Sequence, residues 1–213
     1  GLPIDLVPLY FELDGTFPNH EANPIEPENL RDLQALVRES GADVGLAFDG
    51  DADRCFAVDE RGELIDPSTI TALIAERELS RHPGSAIIYN LISSRTVPEV
   101  VEQAGGVAVR SRVGHSFIKA DMAAHDAVFG GEHSGHFYFR DFWKADSGIL
   151  AALHLLAALG QTASGTALSE VLAPYIRWHR SGEINSEVAA VPATLDRIRQ
   201  AYGSQDAVAL DEL

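Results

Sequence analysis

The chain has 213 residues, 46% of them hydrophobic, and a formal net charge of −16 at pH 7. This length suffices for one large domain or about two small ones, with enough apolar residues for packed cores. The acidic balance argues against non-specific binding to nucleic acid or to an anionic membrane. A single cysteine, Cys55, excludes an internal disulfide. The sequence contains no signal peptide and no apolar run of membrane length, so we expect a cytoplasmic location.

The first third of the sequence predicts extended chain, an irregular loop, a helix and then strands joined by hairpins. These segments fall at residues 4–13, 14–27, 28–40 and 44–65. The helix is indicated by leucines at helical spacing and by Gly41 just after its end.

The middle of the chain alternates between helical and extended patterns. Asp66 and Pro67 predict a boundary and a helix start, because Asp caps helices and Pro suits the first helical position. Helices are predicted at 67–81, 96–104, 115–123 and 146–159, and strands at 86–89, 107–110, 127–129 and 136–139. Such alternation predicts an α/β layered domain.

The last part of the sequence predicts a fragment of a further domain. A second boundary is expected at 181–185, and residues 184–213 hold one predicted strand and one predicted helix. That is too little for an independent core. The chain also starts with Gly1 and opens directly into an extended segment, so we expect truncation at both ends.

An acidic run, Asp-Gly-Asp-Ala-Asp-Arg at 49–54, lies between two predicted strands. Its three carboxylates, Asp49, Asp51 and Asp53, would repel one another unless a cation lay among them. Oxygen ligands at this density suit a hard divalent ion, Mg2+ before Zn2+. Arg54 indicates an anion beside the metal, a combination typical of phosphoryl transfer, or else it forms a salt bridge to one of the same aspartates.

A solvated turn, an EF-hand loop and an aspartyl phosphatase each fit this run less well. A solvated turn does not account for small residues between the acids and apolar strands on both sides. An EF-hand loop needs a sharp turn at the position of Arg54, normally glycine, and needs flanking helices. A phosphatase with an aspartyl nucleophile would leave the third aspartate and the arginine without a role.

A second polar loop, Gly-Gly-Glu-His-Ser-Gly-His at 130–136, lies between two later predicted strands. Its glycines let the backbone approach a ligand. The carboxylate of Glu132 and the hydroxyl of Ser134 suit neighbouring hydroxyl groups of a sugar. By itself the loop could equally be a hairpin turn with incidental polar residues.

Together these motifs resemble the α-D-phosphohexomutase family, and its phosphomannomutase/phosphoglucomutase branch in particular. The resemblance depends on the runs at 49–54 and 131–136 and on Val-Gly-His-Ser-Phe-Ile-Lys at 113–119, with Asp-Gly-Thr-Phe-Pro-Asn at 14–19 also family-like. These motifs span most of the chain in the order found in the family.

The resemblance implies a four-domain enzyme with its active site in a central cleft. The expected fold is α/β, with layered mixed-sheet domains and one complete domain flanked by parts of two others. Residues 1–66 would end domain two and carry the metal loop, 67–176 would form domain three with the sugar loop, and 177–213 would begin domain four.

The resemblance also implies roles for individual residues. Mg2+ would be held by Asp49, Asp51 and Asp53, Arg54 would lie beside the phosphoryl group in transit, and Glu132 and Ser134 would contact sugar hydroxyls. His115 and Lys119 would stand near the transfer site, where His115 is either a general acid/base or a helix-capping residue. His136 would support the sugar loop or pair a strand.

The implied reaction interconverts hexose 1-phosphate and hexose 6-phosphate, of mannose or glucose, through an enzyme phosphoserine and a hexose bisphosphate intermediate. The sequence contains no Ser-His-Asn-Pro-like segment and no domain-four phosphate loop, so the chain alone is expected to be inactive. Ile92 also stands where many relatives have lysine. A phosphoglucosamine mutase and a non-catalytic module that binds metal or sugar phosphate are the alternatives. His133 and the aromatic run at 137–139 favour mannose or glucose.

Overall fold

The chain folds as a mixed α/β protein with two separate sheets. The computed structural model describes residues 2–179 and 187–202. Its α-helices are α1 (Arg31–Ser40), α2 (Pro67–Arg81), α3 (Thr96–Gln103), α4 (His115–Ala124), α5 (Gly148–Gly160), α6 (Leu168–Leu172) and α7 (Val191–Tyr202). Its strands are β1 (Val44–Phe48), β2 (Cys55–Asp59), β3 (Leu64–Ile65), β4 (Ala86–Asn90), β5 (Val107–Ser111), β6 (Phe129–Gly131), β7 (Phe137–Phe139) and β8 (Ala145–Asp146).

The chain divides into two compact units, Gly1–Trp178 and His179–Leu213. Both sheets lie in the first unit. In the second unit the described residues 187–202 contain α7 and no strand, and the boundary predicted at 181–185 lies outside the described residues. Among the helices that can be described, none is both long and apolar enough to cross a membrane.

The first sheet is an antiparallel meander in the order β1-β2-β3. Val44 pairs with Asp59 and Phe48 with Cys55, so the acidic run forms the connection between β1 and β2, as predicted. Every residue of β2 is buried. Helix α1 follows a 3-10 turn and ends at Gly41, whose φ of 68° is the left-handed conformation that glycine adopts without strain.

The second sheet has the order β5-β4-β6-β7-β8, with β4 parallel to β5 and β6, and the remaining pairs antiparallel. Successive residues of β4 point to opposite faces. Ile87 packs in the core that α2 and α5 share, whereas Ile88 packs with Ile118 and Met122 of α4. Helices therefore cover both faces of this sheet, as expected for strands that are buried on both sides.

Most predicted elements are present, and the differences have local causes. Helix α2 begins at Pro67 as predicted, with the Asp66 side chain accepting a hydrogen bond from Ser68 N at 2.7 Å. The strand predicted at 127–129 instead runs through Gly130 and Gly131, because β4 and β7 supply hydrogen-bonding partners on both sides.

Three single segments differ from what the sequence suggests. The extended segment at 4–13 joins no sheet among the described residues, and its large apolar side chains are exposed apart from the half-buried Leu9. The sequence predicts that Asp146 starts the following helix, but this residue lies in β8, and Ser147 caps α5 by accepting a hydrogen bond from Leu150 N. The sequence does not predict helix α6, because five residues are too few for a helical period to stand out.

The acidic connection is docked onto the second sheet through its backbone. Cys55 N donates a hydrogen bond to Gly135 O at 3.0 Å, Gly148 N donates to Ala52 O at 3.0 Å, and an isolated antiparallel bridge joins Arg54 to His136. A Cβ atom on Gly148 would lie 2.4 Å from the carbonyl oxygen of Arg54. Only glycine permits this approach between the first turn of α5 and the acidic run.

Replacing Gly148 by alanine should therefore disturb this docking. We expect Gly148→Ala to lower the free energy of unfolding by about 1–3 kcal/mol, the usual cost of overpacking, as measured by urea denaturation. Gly160 lies at the other end of the same helix, where a Cβ atom would meet open space. Gly160→Ala is the matched control and should leave stability unchanged or slightly raised. Equal effects of the two substitutions would contradict the docking role.

Candidate metal and phosphosugar site

The three aspartates of the acidic run converge. Ala52 N donates to Asp49 O at 3.2 Å, and Ala52 has a φ of 58°, so the backbone turns tightly within the run. As a result, one carboxylate oxygen from each of Asp49, Asp51 and Asp53 lies within 4.8 Å of the other two. This spacing places all three carboxylates within reach of one cation.

Arg54 is bound by the run to which it belongs. Its Nε donates to Asp49 Oδ2 at 2.6 Å, its backbone N donates to Asp49 Oδ1 at 3.1 Å, and Nη1 donates to Asn23 Oδ1 at 3.0 Å. The internal salt bridge that the sequence suggests is therefore present. It fixes the plane of the guanidinium, which matters for recognition of a planar or tetrahedral anion.

The charges in the run are not equivalent. Burial, a hydrogen bond with Asp49 and repulsion by Asp49 raise the pKa of Asp53 to about 6. Burial also acts to raise the pKa of Asp49, but the hydrogen bonds from Arg54 outweigh it and lower that pKa. Asp49 is thus the more stable anion of the pair, because Asp53 has only longer contacts, with Arg54 Nε at 4.0 Å and with His136 Nε2 at 3.6 Å.

The environment of Asp53 fits a divalent cation. Its Oδ1 atom is buried, has no hydrogen-bond donor, and lies 3.6 Å from His136 Nε2. A buried carboxylate oxygen without a donor is costly unless a cation or a proton compensates for it. An all-oxygen set of this kind suits Mg2+, which keeps several of its own waters and takes few protein carboxylates.

The second polar loop lies beside the acidic run and is tightly built. The Glu132 side chain is buried, with Oε1 accepting from Gly114 N at 3.1 Å and Oε2 accepting from Tyr138 OH at 2.7 Å. Ser134 Oγ lies 2.8 Å from His136 Nδ1, within hydrogen-bonding distance. Each Glu132 oxygen still has a second lone pair, so the carboxylate can accept a further hydrogen bond from a ligand.

The run at 113–119 contributes two residues to this group, Gly114 through its hydrogen bond to Glu132 and Lys119 through an ion pair. Lys119 Nζ lies 2.9 Å from Asp146 Oδ1. Asp146 in turn belongs to a second set with Asp53 and His136, whose ligand atoms also lie within 4.8 Å of one another. His115, the first residue of α4, is exposed, and within residues 2–179 no hydrogen bond or ion pair joins it to these residues.

The structure therefore brings together most of the residues predicted from the sequence and adds two. The three aspartates, Arg54, Glu132, Ser134, His136 and Lys119 are linked through direct contacts or through Asp146 and Tyr138. Sequence patterns do not reveal Asp146, because its position favours a helix start, or Tyr138, because an aromatic residue in a strand indicates core packing first.

The fold and this site define an α/β protein in which an acidic loop meets a glycine-rich polar loop. Residues 1–62 match the family model described as phosphoglucomutase/phosphomannomutase, alpha/beta/alpha domain II, and residues 66–177 match alpha/beta/alpha domain III of the same family. The chain belongs to the phosphoglucomutase/phosphomannomutase family.

Individual relatives agree with this membership. The chain is 41% identical to a phosphomannomutase of Salmonella typhimurium and to one of Escherichia coli, over 99% of this chain and 46% of each relative. A solved structure of a phosphoglucomutase/phosphomannomutase family protein from Burkholderia thailandensis has a TM-score of 0.76 and 38% identity, covering 81% of this chain and 37% of that one. The chain thus spans about half the length of the curated relatives it matches.

The raised pKa of Asp53 makes the stability of the metal-free chain depend on pH. Because the folded state holds this proton up to about pH 6, whereas the unfolded chain releases it near pH 4, the contribution of Asp53 to stability falls as pH rises through that window. We expect Asp53→Asn to remove this fall and to raise Tm at pH 7 by about 2–4 °C, corresponding to ~1 kcal/mol after allowing for partial exposure. The Tm of wild type and of Asp53→Asn, measured by thermal unfolding at pH 4, 5, 6 and 7 in the presence of a chelator, tests this expectation.

The control for this substitution is Asp196→Asn. Asp196 is an exposed residue of α7 that pairs with Arg199. Its removal should leave the shape of the pH profile unchanged. If Asp53→Asn and wild type followed parallel pH profiles, the burial of an uncompensated Asp53 would be refuted.

Proposed function

We propose that this chain provides the metal loop and the sugar loop of a phosphosugar mutase that interconverts hexose 1-phosphate and hexose 6-phosphate. The substrate would be mannose phosphate, glucose phosphate or both, and the reaction would pass through an enzyme phosphoserine and a hexose bisphosphate. The observation that carries the proposal is the direct docking of the acidic run against the Glu132 loop. Because the three aspartates, Arg54 and the Glu132 loop lie side by side, this docking supports neighbouring sites for a cation, a phosphate and a sugar.

The aspartates of the acidic run would bind a cation, and its arginine would contact a phosphoryl group. Asp49, Asp51 and Asp53 would hold Mg2+, which would neutralise charge on the serine-linked phosphate when bound. Arg54 would contact the phosphoryl group in transit. This role is supported by its geometry, because Asp49 and Asn23 engage Nε and Nη1 and so orient Nη2.

The second loop would bind the sugar. Glu132 would accept a hydrogen bond from one sugar hydroxyl group, and Ser134 would donate a hydrogen bond to a neighbouring one. His136 would support Ser134 through its Nδ1 atom. Lys119 would bring a positive charge towards a phosphate. His115 would act as general acid or base if ligand binding brings its exposed ring to the transfer site.

The wider proposal concerns the complete protein. Domain two would end near residue 66, domain three would cover 67–176, and domain four would begin at 177. The enzyme would work in the cytoplasm on hexose phosphates, without nucleic-acid or membrane partners, in keeping with its net charge of −16. The relatives named phosphomannomutase support mannose phosphate as a substrate.

Magnesium binding tests the role of the acidic run directly. We expect the 213-residue chain to bind Mg2+ weakly in calorimetric titration at pH 7.5, because three carboxylates alone compete poorly with the hydration of the ion. Asp51→Asn should weaken binding by at least about tenfold, since it removes one ligand charge. Asp196→Asn should bind like wild type. Mg2+ binding that is equal in both variants, or a strong preference for Ca2+, would contradict the proposed site.

Turnover assays test two expectations, that the complete protein is a mutase and that the 213-residue chain alone is inactive. We expect no conversion of mannose 1-phosphate or glucose 1-phosphate by the 213-residue chain, and conversion by the complete protein, in a coupled assay. Comparing mannose, glucose and glucosamine phosphates would separate the proposed substrates from the phosphoglucosamine alternative. Mutase activity of the 213-residue chain alone would contradict the expectation that it is inactive without further domains. A complete protein that binds sugar phosphate without turnover would favour a non-catalytic module.

A further inference from the structure

Tyr138 connects the sugar loop to the run at 113–119. This residue lies in β7 and has no exposed surface. Its hydroxyl group donates to Glu132 Oε2 at 2.7 Å, and the centroid of its ring lies 5.6 Å from Lys119 Nζ. One side chain therefore binds a carboxylate and lies within cation–π distance of an ammonium that the proposed function uses.

The phenol of Tyr138 stays protonated and so keeps donating its hydrogen bond to Glu132. Burial, the hydrogen bond to Glu132 and the nearby negative charges raise the pKa of the Tyr138 phenol well above its usual value. The phenol thus remains a donor throughout the physiological range. Glu132 is held as an acceptor between this hydroxyl and the backbone N–H of Gly114, which are both neutral donors.

Asp146 fixes the other end of the same group. Its Oδ1 atom lies 2.9 Å from Lys119 Nζ, and its side chain is 12% exposed, compared with 40% for Lys119. The carboxylate is thus the more buried partner and holds the ammonium at the protein surface. The ring of Tyr138 attracts the same ammonium from a second direction, which restricts the long and flexible lysine side chain.

These contacts form a continuous chain from the backbone of Gly114 through Glu132, Tyr138 and Lys119 to Asp146. Neither the glycine-rich loop nor helix α4 makes all of these contacts by itself. The aromatic ring and the carboxylate come from β7 and β8, which lie next to each other in the sheet. The sheet therefore sets the distance between Glu132 and Lys119.

We propose that Tyr138 and Asp146 are positioning residues: Tyr138 orients Glu132 for the sugar hydroxyls, and Asp146 places the Lys119 ammonium for a phosphate of the same ligand. This proposal rests on the proposed mutase function for its kinetic consequences, but not for its geometry. Neither residue needs to touch the substrate. Their effect is to hold two ligand-binding groups in place before the ligand arrives, which reduces the entropy lost on binding.

Two isosteric substitutions separate the two contacts. Tyr138→Phe removes the hydroxyl group and keeps the ring, and Asp146→Asn removes the charge and keeps the shape. The matched controls are Tyr175→Phe, which removes a tyrosine–glutamate hydrogen bond to Glu76, and Asp141→Asn, which removes an exposed ion pair with Arg140.

In the complete protein, Tyr138→Phe should raise KM for the hexose phosphate by about 5–10-fold with kcat changed less than about twofold, because it loosens Glu132 in both ground and transition states. Asp146→Asn should lower kcat by at least about tenfold, since a misplaced ammonium stabilises transferring charge poorly. Asp146→Glu should restore part of that loss. Both controls should behave like wild type. Kinetic parameters of both variants within about twofold of their controls would overturn the proposal.

The 213-residue chain allows a test that does not depend on turnover. NMR of 15N-labelled lysine ammonium groups should show a restrained Lys119 signal in wild type, in Tyr138→Phe and in Asp141→Asn. In Asp146→Asn that signal should move to the position of freely moving lysines. A Lys119 signal unaffected by Asp146→Asn would refute the positioning role, whereas an inactive complete protein with the expected NMR result would refute only the mutase function.

Discussion

The arrangement of this site depends on the backbone contact between the acidic run and the second sheet. Cys55 N and Gly148 N each take part in a hydrogen bond across this contact, one to Gly135 O and one to Ala52 O. Gly135 and Gly148 make the approach possible. A Cβ atom on Gly135 would lie 2.5 Å from the ring of Phe56, and one on Gly148 would lie 2.4 Å from Arg54 O. Main-chain hydrogen bonds therefore fix the aspartates relative to the Glu132 loop, and the contact between His136 and Asp53 adds to them.

This docking concentrates charge in a small region and pairs nearly all of it. Arg54 is bound to Asp49, Lys119 to Asp146, and His136 lies close to Asp53. The Oδ1 atom of Asp53 is nevertheless buried without a hydrogen-bond donor, and the pKa of this carboxyl is raised to about 6. Because each cationic side chain already faces a carboxylate, an anionic ligand is accommodated best together with a cation that offsets the aspartates.

Local sequence signals predicted much of the fold. Asp66 and Pro67 located the start of α2, Gly41 located the end of α1, and the apolar stretches around the acidic run located β1 and β2. These signals succeed because caps and strand alternation depend on near neighbours. The failures involve residues whose state depends on distant partners. Residues 4–13 have an extended pattern but pair with no strand among the described residues, and Asp146 has the pattern of a helix start but joins β8.

In the candidate site, too, local sequence patterns identify some features, and others depend on residues that are distant in the sequence. Sequence patterns alone predicted candidate residues for the chemistry, since alternating aspartates, an adjacent arginine and a glycine-rich Glu/Ser loop can be recognised without coordinates. They also determined the family, through the order of three motifs. The contacts by which Tyr138 and Asp146 join Glu132 to Lys119, and the burial of Asp53 Oδ1 without a hydrogen-bond donor, are visible only in the folded structure. Those facts depend on strand pairing and burial, which bring together residues that the sequence keeps far apart.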